Sequence, residues 1–192
     1  MIVYLHGFAS SGGASRKVRY LRSELPDVAI FAPTYSHDPA LAIPFLEAYF
    51  LDRSRQNKQN GEVLLVVGAG LGGFYALHFQ RLFAHKTVLI NPVLWPGESL
   101  KARLGDNINF KTGEQFILEA RHLHRFQALH VHVADTRPDL VLLDDGDAEV
   151  EAGVTRRVFS DDVDIQVFPG GSHRFDHLQE SLPMIKALLD DA

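Results

Sequence analysis

Short runs of apolar residues recur along the chain, separated by longer segments in which apolar and polar positions are mixed. The runs are rich in β-branched side chains and nearly continuous rather than alternating, which is typical of strands that helices cover on both faces. Six buried strands are therefore predicted. They lie at residues 2–5, 28–31, 63–67, 87–90, 140–143 and 165–168.

The segments between these runs are long enough to hold the crossover helices that parallel strands require. Mixed apolar and polar patterns predict helices at residues 14–24, 40–53, 72–83, 154–159 and 177–189. Strands that alternate with helices in this way predict an α/β fold with three layers. In that fold a mostly parallel sheet of about six strands lies between two layers of helices.

One segment, residues 97–137, departs from the alternation because it contains a helical pattern near residues 114–129 and no clear strand. We interpret it as a small helical cap insertion over the carboxyl edge of the sheet. The polar stretch 53–61 is typical of a loop, and no internal repeat or Pro/Gly/Ser-rich linker divides the chain. Residues 1–192 are therefore predicted to form a single domain.

The composition narrows the classes of partner. The 192 residues are 46% hydrophobic, enough for one substantial core, and their formal net charge is −5. Such a chain offers no cationic surface for nucleic acid or an anionic membrane. It contains no cysteine, which excludes disulfides, thiolate nucleophiles and Cys-ligated zinc. With no leader pattern and no apolar stretch of about 20 residues, we expect a soluble, cytoplasmic protein.

The glycine-rich stretch after the third predicted strand carries the most information about chemistry. Gly68 and Gly72 occupy the outer positions of a nucleophile elbow, G-x-S-x-G, in which small residues let strand and helix pass closely. The central position, where a serine would attack an acyl carbon, is Gly70. A residue without a side chain excludes nucleophilic catalysis from this point. Glycine does suit the strained backbone of the turn, because it adopts positive φ without strain at Cβ.

A second interpretation of the same stretch is a dinucleotide site. Gly68, Gly70 and Gly73 match G-x-G-x-x-G between a strand and a helix, the pattern whose backbone amides hold a pyrophosphate. Against it, no Asp or Glu follows the next strand to bind a ribose hydroxyl, and the motif lies on the third strand rather than the first. The dinucleotide site is kept as the less favoured alternative.

Both ends of the chain supply further groups that hydrolytic chemistry requires. His6-Gly7 follows the first strand, where the backbone amide of Phe8 can face a developing oxyanion together with the amide of Leu71. Asp147 and His173 lie on loops after the last two strands, in the order in which an acid and a histidine follow the elbow in such enzymes. We therefore predict that Asp147 orients His173 as a general base.

These residues resemble the YqiA/YcfP-type small esterase-like α/β-hydrolase family, over nearly the full chain. The resemblance implies the α/β-hydrolase fold. In the YqiA-like branch the elbow carries serine, and the implied activity is ester hydrolysis by a triad that maps onto Gly70, Asp147 and His173. The glycine at the elbow resembles the YcfP-like branch. The segments that match are Tyr4-Leu5-His6-Gly7-Phe8, Gly68-x-Gly70-Leu71-Gly72-Gly73-Phe74, Asn91-Pro92, Gly146-Asp147 and His173.

Other side chains suggest alternatives. Ser10, Ser11 or Ser172 can in principle replace the missing nucleophile, and a water activated by His173 can support slow hydrolysis. The pairs His122/His124 and His130/His132 suggest a metal site. Positions i and i+2 do not share a face of a helix, which counts against the first pair, and no third ligand is evident near the second, so no metal and no cofactor are expected. Four apolar residues suggest an acyl pocket beneath the cap. They are Leu94, Trp95, Phe116 and Phe126.

The sequence thus predicts an esterase-like pseudoenzyme with weak or no hydrolysis of carboxylic esters. Its expected partner is a small-molecule ligand or ester, and nucleic acid and membranes are not expected partners. The alternatives are a non-catalytic protein that binds a small acyl ligand and, less favoured, a dinucleotide-binding protein.

Overall fold

A computed structural model describes residues 1–60, 63–83, 85–129, 136–159 and 162–190, with the backbone only at residues 57–60. The strands are β1 (Ile2–Leu5), β2 (Ile30–Phe31), β3 (Leu65–Ala69), β4 (Lys86–Ile90), β5 (Gly105–Ile108), β6 (Gln115–Leu118), β7 (Leu140–Asp144) and β8 (Asp164–Phe168). The helices are α1 (Arg16–Glu24), α2 (Pro39–Asn60), α3 (Leu71–Gln80), α4 (Pro96–Ser99), α5 (Ala120–Ala128), α6 (Ala152–Val158) and α7 (Leu178–Asp190). A 3₁₀ turn covers Lys101–Arg103.

Six of the strands form one sheet in the order β2-β1-β3-β4-β7-β8, and all of its neighbouring pairs are parallel. The order reverses at β1, which pairs with β2 on one side and β3 on the other. The predicted α/β fold with a six-stranded, mostly parallel sheet is confirmed. Ligands bind such sheets beyond the carboxyl ends of the strands, close to the point of reversal.

The packing of the core explains why the apolar runs in the strands are not interrupted by polar residues. Val66 packs with the apolar side chains of α2 and α3, including Phe50 and Phe79. Its neighbours Leu65 and Val67 point the other way and pack with those of α1 and α7. Successive side chains of a strand face opposite sides of the sheet, so burial on both sides leaves no polar position in β3.

Two predictions about local structure are wrong. The pattern near residues 114–129 was expected to be helical from its start, but residues 115–118 form strand β6, paired antiparallel with β5, and the helix begins at Ala120. The side-chain carbonyl of Asn109 accepts the amides of Lys111 and Thr112 and so closes a turn between the strands. Gly113 completes this turn with φ +76°. This turn, rather than helix propensity, decides the local structure.

The second correction concerns residues 53–61, which were expected to form a loop. Helix α2 continues to Asn60, because the polar residues after Arg53 include long straight side chains with good helix propensity and no glycine or proline interrupts them. No helix in the described ranges is both long enough and apolar enough to span a membrane. The assignment of residues 1–192 to one domain, with residues 97–137 as its cap, stays a prediction.

Candidate functional site

The turn between β3 and α3 holds Gly70 in an unusual backbone conformation, with φ +55° and ψ −123°. Its amide donates to the carbonyl of Ile90 (3.0 Å), and its carbonyl accepts from the amides of Gly73 (2.9 Å) and Val93 (3.0 Å). The surrounding backbone therefore fixes the turn from both sides. A non-glycine residue held at such φ and ψ costs about 1–3 kcal/mol, a strain that glycine avoids.

The glycines on either side of Gly70 are required by space. A Cβ on Gly68 would lie 2.5 Å from the carbonyl oxygen of Gly72, and a Cβ on Gly72 would collide with the carbonyl oxygen of Leu5. Strand β1, strand β3 and helix α3 thus approach each other too closely for any side chain. This is the small-residue requirement of a nucleophile elbow.

The same geometry argues against the dinucleotide interpretation. The amides of Gly70 and Gly73 both donate to carbonyls of the protein and do not face outward. Gly73 is also packed against Pro92, whose Cβ would lie 2.7 Å from a Cβ at that position. Since a pyrophosphate site needs free amides on the glycine-rich turn, the packing of the fold accounts for these glycines better.

The structure brings Asp147 and His173 together although 26 residues separate them. Nδ1 of His173 lies 2.8 Å from Oδ2 of Asp147, whose side chain is fully buried, whereas 27% of the His173 side chain is exposed. Oδ1 of Asp147 accepts the amides of Glu149 (2.8 Å) and Val150 (3.0 Å). Burial on its own raises the pKa of Asp147, but His173 and these two amides outweigh it and hold the pKa below its ordinary value.

His173 also lies against the elbow. A Cβ built on Gly70 would be 3.3 Å from Nε2 of His173 and 3.6 Å from Cα of Gly7. The structure therefore places Gly70, His173, Asp147 and the loop after β1 at one point. Leu71 is the first residue of α3, where a backbone amide has no partner within the helix.

His6 is a buried part of the loop after β1, only 3% exposed. Its Nδ1 lies 2.8 Å from the carbonyl of Gly7, its Nε2 accepts the amide of Tyr35 at 3.3 Å, and its ring stacks on that of Tyr35. Burial lowers the pKa of His6 to about 4, so the imidazole is neutral at physiological pH. Both ring nitrogens are engaged, which indicates that His6 shapes the loop that carries Gly7 and Phe8.

A second acid–histidine pair, which the sequence analysis missed, lies beside the first. Oδ1 of Asp144 is 2.7 Å from Nδ1 of His177, and Oδ2 accepts the amides of Ser172 (3.0 Å) and Asp176 (2.8 Å). The ring of His177 stacks on Phe168, and its pKa is raised chiefly by the hydrogen bond to Asp144. The sequence signals that could have indicated this pair are an aspartate directly after a predicted strand and a histidine at the start of a predicted helix.

A cleft opens beside the elbow, between the loops that follow β1 and β2 and the β5–β6 hairpin. We call it the ring cleft. Phe8 and Phe116 meet edge to face in its wall, and His37 stacks on Phe116 with ring centroids 4.2 Å apart. Its lining residues are His6, Gly7, Phe8, Ala9, Ser10, Thr34, Tyr35, Ser36, His37, Leu71, Asn109, Glu114 and Phe116.

The apolar residues and serines suggested by the sequence do not all lie at this cleft. Of the four apolar residues suggested for an acyl pocket, only Phe116 lines the cleft; Leu94 and Phe126 belong to the core, and Trp95 is 45% exposed. The hydroxyl of Ser172 donates to Asp176 (2.9 Å), whereas Ser10 lines the cleft and Ser11 is buried.

The metal hypothesis gains no support from the described ranges, which contain no group of three or more His, Asp or Glu side chains suited to a metal. Nδ1 of His122 accepts the amide of Glu119 at 3.1 Å and caps α5. His130 and His132 lie outside the described residues.

Solved structures with a similar fold are hydrolases. A putative hydrolase from Agrobacterium vitis superposes with a TM-score of 0.73 at 18% identity, over 98% of this chain and 87% of the other. Est1E from Butyrivibrio proteoclasticus, solved with ferulic acid bound, gives 0.72 at 15% identity, over 97% and 86%. A monoacylglycerol lipase from Paleococcus ferrophilus gives 0.67 at 14% identity, over 100% and 94%. At these identities the likeness shows the α/β-hydrolase fold.

Relatives with higher sequence identity are described only as UPF0227 proteins. A UPF0227 protein of Shewanella oneidensis is 28% identical over 189 residues, which cover 97% of this chain and 98% of that protein. Another, from Shewanella loihica, is 36% identical over 106 residues, which cover 54% of this chain and 57% of that protein. A family model described as "Uncharacterised protein family (UPF0227)" matches residues 1–190.

Proposed function

The chain belongs to the uncharacterised protein family UPF0227, and on that premise we propose that it is an esterase-like protein whose nucleophile position is occupied by Gly70. In this proposal Asp147 and His173 form the acid–base pair, and the amides of Phe8 and Leu71 form the oxyanion site. The protein binds a small carbonyl ligand and hydrolyses esters weakly or not at all.

One observation carries the proposal: the position of a Cβ at residue 70 lies 3.3 Å from Nε2 of His173, whose other nitrogen is held by Asp147. A serine there would direct its hydroxyl at a histidine already oriented as a base. The imidazole would have to move by a few tenths of an ångström, which its partial exposure permits. The site thus has the form of a hydrolase site in which one side chain is lacking.

Without a serine, the remaining groups support one route. His173 removes a proton from a water molecule, the resulting hydroxide attacks the ester carbonyl, and the oxyanion is held by the amides of Phe8 and Leu71. The intermediate expels the alkoxide, which takes the proton back from His173, so the products are an acid and an alcohol. General-base assistance contributes only about 10²–10⁴-fold to a rate, so turnover by this route is slow.

The test compares hydrolysis of p-nitrophenyl acetate by the native chain, Gly70→Ser and Gly70→Ala, each with and without His173→Ala. Gly70→Ala is the matched control, because it imposes the same backbone strain without adding a hydroxyl. We expect Gly70→Ser to exceed the native rate by at least about 10³-fold, since the loss of a triad serine costs about 10⁶-fold in a mature enzyme. His173→Ala should abolish the gain.

Two results would contradict the proposal. No gain in a folded Gly70→Ser variant would mean that the remaining groups do not form a hydrolytic site. Native turnover of about 1–10³ s⁻¹, lost in His173→Ala, would mean that the chain is an efficient enzyme by another route.

A further inference from the structure

The ring cleft shares Gly7, Phe8 and Leu71 with the proposed hydrolytic site. Gly7 lies against the elbow, Leu71 provides the first amide of α3, and both line the cleft. A carbonyl group held at the elbow therefore directs the rest of its molecule into the cleft. The side chains further along it determine which molecules fit.

The wall of the cleft is made of rings rather than aliphatic chains. The Phe116 ring is in contact with Phe8 edge to face at 5.6 Å and with His37 face to face at 4.2 Å. Among the lining side chains only Leu71 and Ala9 are aliphatic. Flat aromatic surfaces favour a planar, aromatic ligand through stacking and edge contacts, and they provide no channel for a long acyl chain.

His37 gives the cleft a neutral hydrogen-bonding end. Within the described part of the chain neither of its ring nitrogens has a hydrogen-bond partner, although the ring is held between Phe116 and His122. Burial, and then the neighbouring His122, lower the pKa of His37, against the opposing effect of Asp38 and Glu114. A neutral imidazole offers one donor and one acceptor, which match a hydroxyl or an amine.

Glu114 adds a negative charge to the same cleft. Its carboxylate lies at the exposed rim, close enough to His37 to influence its pKa. Arg125 on α5 is engaged by Asp38, to which its Nη1 donates twice at 2.7 Å. A ligand carboxylate would meet the negative charge of Glu114, whereas a hydroxyl or ammonium group could hydrogen-bond to it.

We propose that the ring cleft binds a small aryl ester or related aryl carbonyl compound that carries a hydroxyl or ammonium group at the end remote from the carbonyl, recognised by His37 and Glu114. This assignment rests on the proposed function, because it places the carbonyl at the oxyanion amides. It names the ligand class of that site and makes His37 and Glu114 its specificity residues.

The experiment measures dissociation constants of the native chain for four methyl benzoates by ligand-observed NMR. Their para substituents are hydroxymethyl, aminomethyl, carboxylate and ethyl, so size is nearly constant while charge and hydrogen bonding change. We expect the hydroxymethyl and aminomethyl esters to bind at least about tenfold more tightly than the carboxylate, with the ethyl ester between them.

Two substitutions assign the effect to the cleft. His37→Phe keeps a ring against Phe116 and removes both nitrogens. The affinity for the hydroxymethyl ester should therefore fall about fivefold, to that for the ethyl ester. Glu114→Gln should lower the affinity for the aminomethyl ester. It should also raise the affinity for the carboxylate ester relative to the other three. The matched controls are His124→Phe and Glu24→Gln, the same changes at exposed positions outside the cleft, and they should have no effect.

Equal affinity for all four esters, tightest binding of the carboxylate, or an unchanged preference in His37→Phe would overturn the assignment. Failure of the proposed function is a separate result, because binding to the native chain requires no turnover. If Gly70→Ser is inactive but the binding series is as expected, the proposed hydrolytic site is wrong and the ligand assignment of the cleft stands.

Discussion

The two acid–histidine pairs at the carboxyl edge of the sheet are nearly identical as hydrogen bonds and different as sites. The Nδ1–Oδ distances are 2.8 Å for His173–Asp147 and 2.7 Å for His177–Asp144, and both carboxylates are fully buried. Each carboxylate also accepts two backbone amides. What differs is the far side of each imidazole. The ring of His177 lies on Phe168, whereas Nε2 of His173 faces position 70.

The partners of the two carboxylates differ as well. The amides on Asp147 come from residues two and three positions along the chain, so they form a local turn. The groups on Asp144 come from residues 28 to 33 positions away, and they fasten the loop that carries His173 to the end of β7. A short acid–histidine distance therefore does not identify a catalytic pair. One pair can present a base while the other fixes the loop on which that base is mounted.

The largest expected difference is in rate, tested by the same substitution at each aspartate in the Gly70→Ser background. Asp147→Asn should lower kcat/KM for p-nitrophenyl acetate about 10³–10⁴-fold, because an asparagine NH₂ facing Nδ1 forces the proton of His173 onto Nε2. Asp144→Asn should lower kcat/KM less than about fivefold. It imposes the same change of tautomer on His177, which takes no part in the reaction.

Equal losses from the two substitutions would remove the distinction between the pairs. The retained fold of both variants is checked by their urea unfolding midpoints, so that a lost rate is not mistaken for a lost structure.

The second difference is in stability and has the opposite order. Asp144→Ala leaves His177 and two amides without an acceptor and frees the loop at residues 172–177, so the free energy of unfolding should fall by about 3–5 kcal/mol. Asp147→Ala disrupts a local turn and one histidine contact, and it should cost about 1–2 kcal/mol. Urea unfolding of both variants measures the difference. A larger cost at Asp147 would show that the first pair, not the second, fastens the loop.

The smallest effect is in the pH dependence of stability. The pKa of His177 is raised above its unfolded value of 6.5, so its stabilising contribution is fully present below pH 6.5 and is lost as the pH rises through the folded-state pKa. The stability difference between the native chain and His177→Gln should therefore shrink as the pH rises above 6.5. Burial lowers the pKa of His6 and His85 to about 4, but both variants share these groups and their effects cancel.

A difference that grew with pH would contradict the raised pKa of His177. Chemical denaturation at a series of pH values measures it directly.

The sequence predicted the parts of this molecule that local patterns determine. The turn at Gly68–Gly72 follows from spacing along one strand–helix junction, and Asp147 and His173 follow from their order after two strands. The hairpin was missed because one side chain, Asn109, closes its turn and overrides a weak helical pattern. Asp144 and His177 were missed because they occupy no position in the elbow–acid–histidine order that pointed to Asp147 and His173, and only the pairing of β7 and β8 brings them together across 33 positions.

The β5–β6 hairpin lies outside the main sheet and contributes Asn109, Glu114 and Phe116 to the ring cleft. Asp147, His173 and the elbow follow the ends of β7, β8 and β3 and are supplied by the main sheet, not by the hairpin. Under the proposed function, ligand choice and reactivity therefore reside in separate pieces of chain. A change confined to the hairpin would then alter which compounds are admitted and leave the reacting groups in place.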